Sequence, residues 1–425
     1  MQTNANSRLA LCGGMPIADS QYAAFKWPII DERIEKVVLE QLRQTISIYD
    51  RSGVFESFED RFASYHGRQY CLVSNSGTSS IFAMFDSIGV GPGDEVICPV
   101  YTFHAAVSPL MQTGAVPVFA DCDESCGLSL AELKGKTTAR TRAVVITHMW
   151  GVPARDTKEI AQFCSDRGLY LLEDCSHAHG ASISGRLVGT FGDVAAWSLQ
   201  GQKIVTGGEG GVFATDNPSL YRRALLQGHY NKRPKQEIPE DDGLRRFYLT
   251  GEGLKLRAHP LAIAIALEML NRLDDILDMK RKYGRRFFDY INATPFLENI
   301  NGNPNEWSFY AFPFRFREDL AGISRELFVR ALHAEGLVEF DIPGSTGLLN
   351  ELPLFTSPGS LIPRLYDDPI AKQEGFSVAK EIYESLVKMP MWTTLDDAAI
   401  MDKYLRGLMK VCENIDQIKN MESIN

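Results

Sequence analysis

The fold turns on "QYCLVSNSGTSSIFAMFDSIG", residues 69–89. An apolar run of strand length ends in a turn of small residues, and a helix-like pattern follows at once. The alternation then repeats. "DEVICPV" (94–100) leads into "TFHAAVSPLMQTG" (102–114), and "VPVFADC" (116–122) follows. "RAVVITH" (142–148) precedes a predicted helix around residues 155–167, and "LYLLEDC" (169–175) comes next. Short apolar strands alternating with helices predict an α/β protein whose mostly parallel sheet is covered on both faces.

Outward from that core, "AAWSLQGQKIVTGGEGGVFAT" (195–215) reads as two further strands around a glycine-rich loop carrying Lys203. A long helical pattern begins near Pro260, where a proline suits the first turn. It bridges to a smaller region that opens with "WSFYAFPFRF" (307–316), read as a strand. Helices are expected near 323–336, 373–387 and 395–418. The division this predicts is a large domain, residues 1–285, and a small C-terminal α+β domain, residues 286–425. The polar segment "NKRPKQEIPEDDGLRRF" (231–247) reads as an exposed loop.

Bulk properties remove several classes of function. The chain has 425 residues, 44% hydrophobic and 23% charged, which is ordinary for a globular protein. With 44 basic against 54 acidic residues the net charge is −10, and no block of Lys or Arg appears. Nucleic acid and anionic membrane are therefore excluded as main partners. Eight cysteines in a chain of this length are not a disulfide framework. Cys122 and Cys126 lack a second pair at zinc spacing, so no metal is expected. The opening "MQTNANSRLALCGG" has too short an apolar run for a signal peptide, and no stretch reaches membrane-span length. A cytoplasmic location is the expectation.

Ligands of open α/β sheets bind beyond the carboxyl ends of the strands, so the residues just after each strand come first. "SNSGTSS" offers Gly77, which lets the backbone approach a ligand closely, and then Thr78 and Ser79 to start the next helix, whose free N–H groups suit a phosphate. "VYTFHAA" offers Phe103, a ring for a flat ligand or for the core. "LLEDCSHAHGA" places Asp174 at a buried strand end, where a carboxylate needs a partner or serves as a helix cap. His177 and His179 lie just beyond. Ser198 ends a later strand, and Lys203 follows it. One ligand needs this whole set: an aromatic pyridine ring with a phosphate arm and an aldehyde, pyridoxal 5′-phosphate. Lysine forms the imine with the aldehyde, aspartate pairs with the ring nitrogen, and the turn and serine hold the phosphate.

These residues, in this order, closely resemble the DegT/DnrJ/StrS family of sugar aminotransferases, within the fold-type-I pyridoxal phosphate enzymes. The resemblance runs from "GVFESFEDRFASYHGRQYCLVSNSGTSS" through the C-terminal helices, and its most specific part is Ser198, Lys203 and the run Gly208, Glu209, Gly210, Gly211. It implies that Gly77, Thr78 and Ser198 bind the cofactor phosphate, that Phe103 stacks on the ring, and that Asp174 meets the ring nitrogen. It further implies that Lys203 carries the cofactor and favours transamination over dehydration. Two departures stand out. His177 replaces the usual glutamine near the ring hydroxyl, and Lys255 in "GLKLRAHPLAIAIA" replaces the asparagine that reaches the neighbouring subunit's cofactor. Together with "LALCGG" they resemble the branch acting on cyclitol ketones in aminoglycoside biosynthesis. A homodimer with shared sites and glutamate or glutamine as donor follow from the same resemblance. His229 borders the site in relatives and is a candidate for substrate contact, with a surface position as its alternative. The rival acceptor is a nucleotide-linked ketosugar, for which "NKRPK" and "LRRF" offer cations.

Overall fold

The computed structural model describes residues 8–18, 27–363, 365, 373–391 and 398–422. Seven strands form the main sheet: β1 (Tyr70–Ser74), β2 (Glu95–Pro99), β3 (Val116–Ala120), β4 (Thr141–Thr147), β5 (Tyr170–Asp174), β6 (Val194–Ser198) and β7 (Gly211–Thr215). Their order is β1-β7-β6-β5-β4-β2-β3, and β7 alone runs against its neighbours. The mostly parallel sheet read from the sequence is therefore present, and its strands are apolar because both faces are covered. Alternation along β1 shows how. Leu72 faces one core with Met84, Phe85 and Leu225, while Cys71 and Val73 face the other with Phe58, Phe62 and Trp197.

The first core is roofed by α3 (Gly77–Ser87) and α5 (Pro218–Gly228). The second is roofed by α2 (Gly53–His66) and α6 (Pro260–Asn271), with α1 (Glu32–Gln44) laid against α6. Helix α4 (Thr157–Arg167) lies where residues 155–167 predicted a helix, and it stops at Gly168, whose φ of 65° suits glycine. Beyond α7 (Leu273–Ala293), three antiparallel strands form a second sheet, β8 (Leu297–Asn299), β9 (Ala311–Phe316) and β10 (Leu386–Pro390), in the order β8-β9-β10. Phe312, Phe314 and Phe316 of β9 pack with Phe328 of α8 (Arg325–Ala334) and Leu408 of α10 (Ala398–Glu413). Helix α9 (Ser377–Ser385) precedes β10. Position 285 falls inside α7, so one helix belongs to both parts of the chain.

Four expectations need correction. The helical pattern after Pro260 is two helices, α6 and α7, broken at Arg272 (φ −104°, ψ 4°), whose guanidinium is held by Asp31 at 2.8 Å. Residues 386–390 end the expected helix as strand β10, because Leu386, Val387 and Met389 are buried against β9. The strand in "WSFYAFPFRF" starts only at Ala311. Segment 231–247 is not a loop throughout. It holds a helix, Lys232–Glu237, and a tight turn, Gly243–Phe247, because Arg233 is buried and donates to both oxygens of buried Glu59, at 3.0 and 2.8 Å. Residues 395–397 of the last expected helix lie outside the described residues. From Ala398 onward that region is α10 and a further helix, Ile415–Glu422. None of the eight cysteines is in a disulfide among the described residues. Among the described residues no helix is long and apolar enough to cross a membrane.

Candidate active site

A cavity of about 520 Å³, a size common for small-molecule sites, opens beyond the carboxyl ends of the main strands. Gly77, Thr78, Phe103, Asp174, His177, Ser198 and Lys203 all line it. Residues from four separate stretches of chain thus converge because each lies at or just beyond the carboxyl end of a strand of one sheet.

The first turn of α3 opens on the cavity. Ser76 caps it, its Oγ accepting the Ser79 N–H at 3.1 Å, so the helix begins before the Thr78–Ser79 start that the sequence suggested. A Cβ on Gly77 would stand 2.7 Å from Ser198 Cβ, so the turn lies directly against the end of β6. Unpaired N–H groups of a helix start, with the hydroxyls of Thr78 and Ser198, make a cradle that a phosphate fits. Phe103 is 38% exposed while Tyr101 and Thr102 beside it are buried, so its ring is not spent on the core.

Asp174 ends β5 and is 8% exposed; its Oδ1 accepts the Ser176 N–H at 2.9 Å. Burial raises its pKa, opposed by the Ser176 bonds and the Lys203 charge. The strand end is anchored from behind by Glu173, which accepts the N–H groups of Gly189 and Gly192 at 2.8 and 2.6 Å and contacts His148 at 3.3 Å. Burial works on Lys203 in the opposite sense, lowering its amine to about 8, with Asp174 pulling it back up. The loop that carries it is pinned by its N–H to the Gln200 carbonyl at 2.8 Å.

His177 is more constrained than the sequence implied. Its Nδ1 accepts the Trp150 N–H at 3.3 Å, so the neutral ring carries its proton on Nε2. Burial, then the Lys203 charge, pushes its pKa well down, which keeps it neutral. The ring stacks at 4.1 Å and 4° on Tyr310, and at 5.7 Å and 20° on Trp150. Lys203 Nζ lies 4.5 Å from the Tyr310 ring centre. Left-handed backbone at Trp150 (φ 59°) and Phe309 (φ 52°) brackets this stack, a strain of about 1–3 kcal/mol each that the surrounding packing must hold.

Sequence reading missed Trp150, Tyr310 and Lys388, all of which line the cavity. Trp150 follows β4, so the strand-end rule could have found it. Tyr310 comes from the turn just before β9, and Lys388 from β10 of the other sheet, which no local pattern assigns to this site. Two expected residues lie elsewhere. Lys255 is exposed and outside the cavity. His229 is neither at the surface nor at the cavity. It is 3% exposed, packed with Leu72, Val73 and Leu256, because α5 ends there and turns inward. His179 is buried, and neither ring nitrogen has a hydrogen-bond partner.

Comparison with known proteins agrees with this geometry. L-glutamine:scyllo-inosose aminotransferase of Streptomyces griseus is 28% identical over 97% of this chain and 99% of its own. L-glutamine:2-deoxy-scyllo-inosose aminotransferase of Streptomyces kanamyceticus is 37% identical over 65% and 66% of the two chains. GDP-perosamine synthase of Escherichia coli O157:H7 is 31% identical over 61% and 69%. In fold, the chain matches an aminotransferase from Psychrobacter cryohalolentis with a TM-score of 0.79 at 24% identity, over 92% and 100% of the chains. It also matches GDP-4-keto-6-deoxymannose-3-dehydratase solved with a trapped PLP-glutamate geminal diamine, with a TM-score of 0.76 at 21% identity, over 91% and 100%. The profile of one family covers residues 28–403, and with it the whole cavity: this chain belongs to the DegT/DnrJ/EryC1/StrS aminotransferase family.

Proposed function

We propose that the protein moves an amino group from an amino acid, L-glutamine or L-glutamate, to a keto cyclitol or keto sugar, with pyridoxal 5′-phosphate as cofactor. The observation that carries this reading is the meeting of Lys203, Asp174 and the α3 cradle in one cavity. When bound, the cofactor supplies an electron sink that lets an amino group and a proton leave the donor carbon. The chain's residues do the rest. Gly77, Thr78 and Ser198 hold the phosphate, and Asp174 keeps the ring nitrogen protonated. Phe103 would cover the ring, and His177 would offer its Nε2–H to the ring hydroxyl. Lys203 Nζ would hold the aldehyde, and its amine would accept a proton and return it. An amine lowered to about 8 is partly neutral near neutral pH, as a general base must be.

A cyclitol ketone from aminoglycoside-type antibiotic biosynthesis is the favoured acceptor, supported by likeness along the whole chain to the Streptomyces griseus enzyme. A nucleotide-linked ketosugar is supported by likeness to GDP-perosamine synthase. The cations once available for its diphosphate are fewer than the sequence offers, since Arg233 is buried on Glu59. The wider proposal is a cytoplasmic homodimer in which exposed Lys255 meets the neighbouring subunit's cofactor, with the chain divided near residue 285. Purified protein should be yellow, with a visible band that borohydride removes. L-Glutamine should then convert it to the pyridoxamine form, and a panel of keto cyclitols and nucleotide-linked ketosugars should discharge that form. Absence of the band in Lys203→Ala together with its presence in the wild type is the expected pair. Equal bands in both would overturn the assignment.

A further inference from the structure

A donor amino acid brings a carboxylate with it, and an anion that gives up water on entering a cavity needs a counter-charge. Among the described residues lining the cavity there is no arginine, and the cationic side chains are two lysines, Lys203 and Lys388. Lys203 is committed to the cofactor. His177 is held neutral by burial, so it offers a hydrogen bond but no charge. Lys388 sits on β10 of the second sheet and lines the same cavity as the ends of the main strands.

The lysine is well placed and loosely held. Its backbone pairs with Asp341 in both directions, at 2.8 and 2.9 Å, which fixes its root. Its side chain is 18% exposed, and Nζ lies 3.0 Å from Asp341 Oδ2 and 5.9 Å from the Trp150 ring centre. An ammonium has three N–H donors, and Asp341 takes one. Asp341 is 57% exposed, so water can replace the lysine there at little cost. The ring stack runs from beneath Lys388 at Trp150, through His177 and Tyr310, to beneath Lys203. The two amines thus lie at the two ends of one row of rings. Ser345 and Thr346 line the same cavity and add hydroxyl groups.

We infer that Lys388 binds the α-carboxylate of the amino donor, and with it the carboxylate of the departing keto acid. The inference rests on the aminotransferase reading above. It makes the site selective for α-amino acids over plain amines, through a residue far from the sheet ends that hold the cofactor.

Ping-pong kinetics let the donor half be measured alone, as conversion of the holoenzyme to its pyridoxamine form. The wild type is first given L-glutamine and L-glutamate. Whichever it accepts is compared with its decarboxylated counterpart, 4-aminobutanamide or 4-aminobutyrate. In Lys388→Gln, KM for the amino acid should rise roughly 10- to 100-fold, the range for a lost charge-assisted hydrogen bond. Reaction with the decarboxylated amine should stay within about threefold, and Lys388→Arg should restore the amino acid. A binding readout runs alongside. Calorimetric affinity of the holoenzyme for 2-methylglutamate, which has the carboxylate but no transferable α-hydrogen, should fall by the same factor. An unchanged KM, an equal loss with both donors, or a loss confined to the acceptor half would overturn the inference and leave the aminotransferase reading intact. A wild-type holoenzyme that accepts no amino acid overturns both.

Discussion

Lys203→Met removes an amine and keeps most of the stem that carries it. In cofactor-free protein the folded amine titrates at about 8, against about 10.4 in an unfolded chain. Between those values the unfolded chain binds more protons than the folded one, so wild-type stability rises with pH there. Below about pH 8 the wild type carries the full cost of burying an ammonium, about 3 kcal/mol from the shift itself. Raising the pH from about 7 to about 9.5 recovers roughly 2 kcal/mol of it. The residue is half-buried at the mouth of an open cavity, and water there screens the effect to about 1 kcal/mol. Methionine carries no such cost at any pH. Urea unfolding of both cofactor-free proteins at the two pH values gives the quantity needed, the wild-type stability minus that of the variant. Other titrating groups cancel in this difference. It should move toward the wild type by about 1 kcal/mol or more on going to the higher pH. A difference that stays constant, or moves the other way, would show that the amine is solvated, and the argument for its lowered pKa would fail.

Gly77→Ala should cost about 1–3 kcal/mol and weaken cofactor binding, because the new methyl meets Ser198 at 2.7 Å and must push α3 or β6 aside; thermal unfolding and a cofactor titration measure the two effects. Asp174→Asn keeps an oxygen for the Ser176 N–H, so the fold should survive, while turnover drops at least about 100-fold as the ring nitrogen loses its charge partner. His177→Ala strips the Trp150 N–H of its acceptor beside left-handed backbone and should destabilise by about 1–3 kcal/mol, whereas His177→Gln supplies an amide oxygen and should cost less than about 1 kcal/mol. Capture of added cofactor by the cofactor-free protein should quicken as pH rises through about 8, following the neutral fraction of Lys203, with stopped-flow absorbance as the readout.

The alternation of strand and helix from residue 69 to 215 was enough to place Gly77, Phe103, Asp174, Ser198 and Lys203 together, because a strand's carboxyl end is a position that local pattern can read. Tyr310 and Lys388 obey no such rule. They share the cavity with residues some 100 to 300 positions away in the chain, a relation that apolar patterning does not carry. Arg233 was misread for a related reason. In "NKRPK" every charge looks solvated, and only the burial of Glu59, far away in sequence, withdraws one of them. His229 shows the limit of reasoning by resemblance: its neighbourhood was right, but the turn after α5 points its ring into the core.

The two sheets divide the labour of the cavity. Ends of the first hold the groups proposed for the cofactor, while Tyr310, just before β9, and Lys388, on β10 of the second, face the space left for whatever the cofactor acts upon. Mutation at Lys388 can therefore revise the menu of donors in the C-terminal third, while Tyr310, stacked on His177 and beneath Lys203, ties that third to the chemistry anchored upstream. A lineage built this way can exchange its donors while inheriting its reaction unchanged.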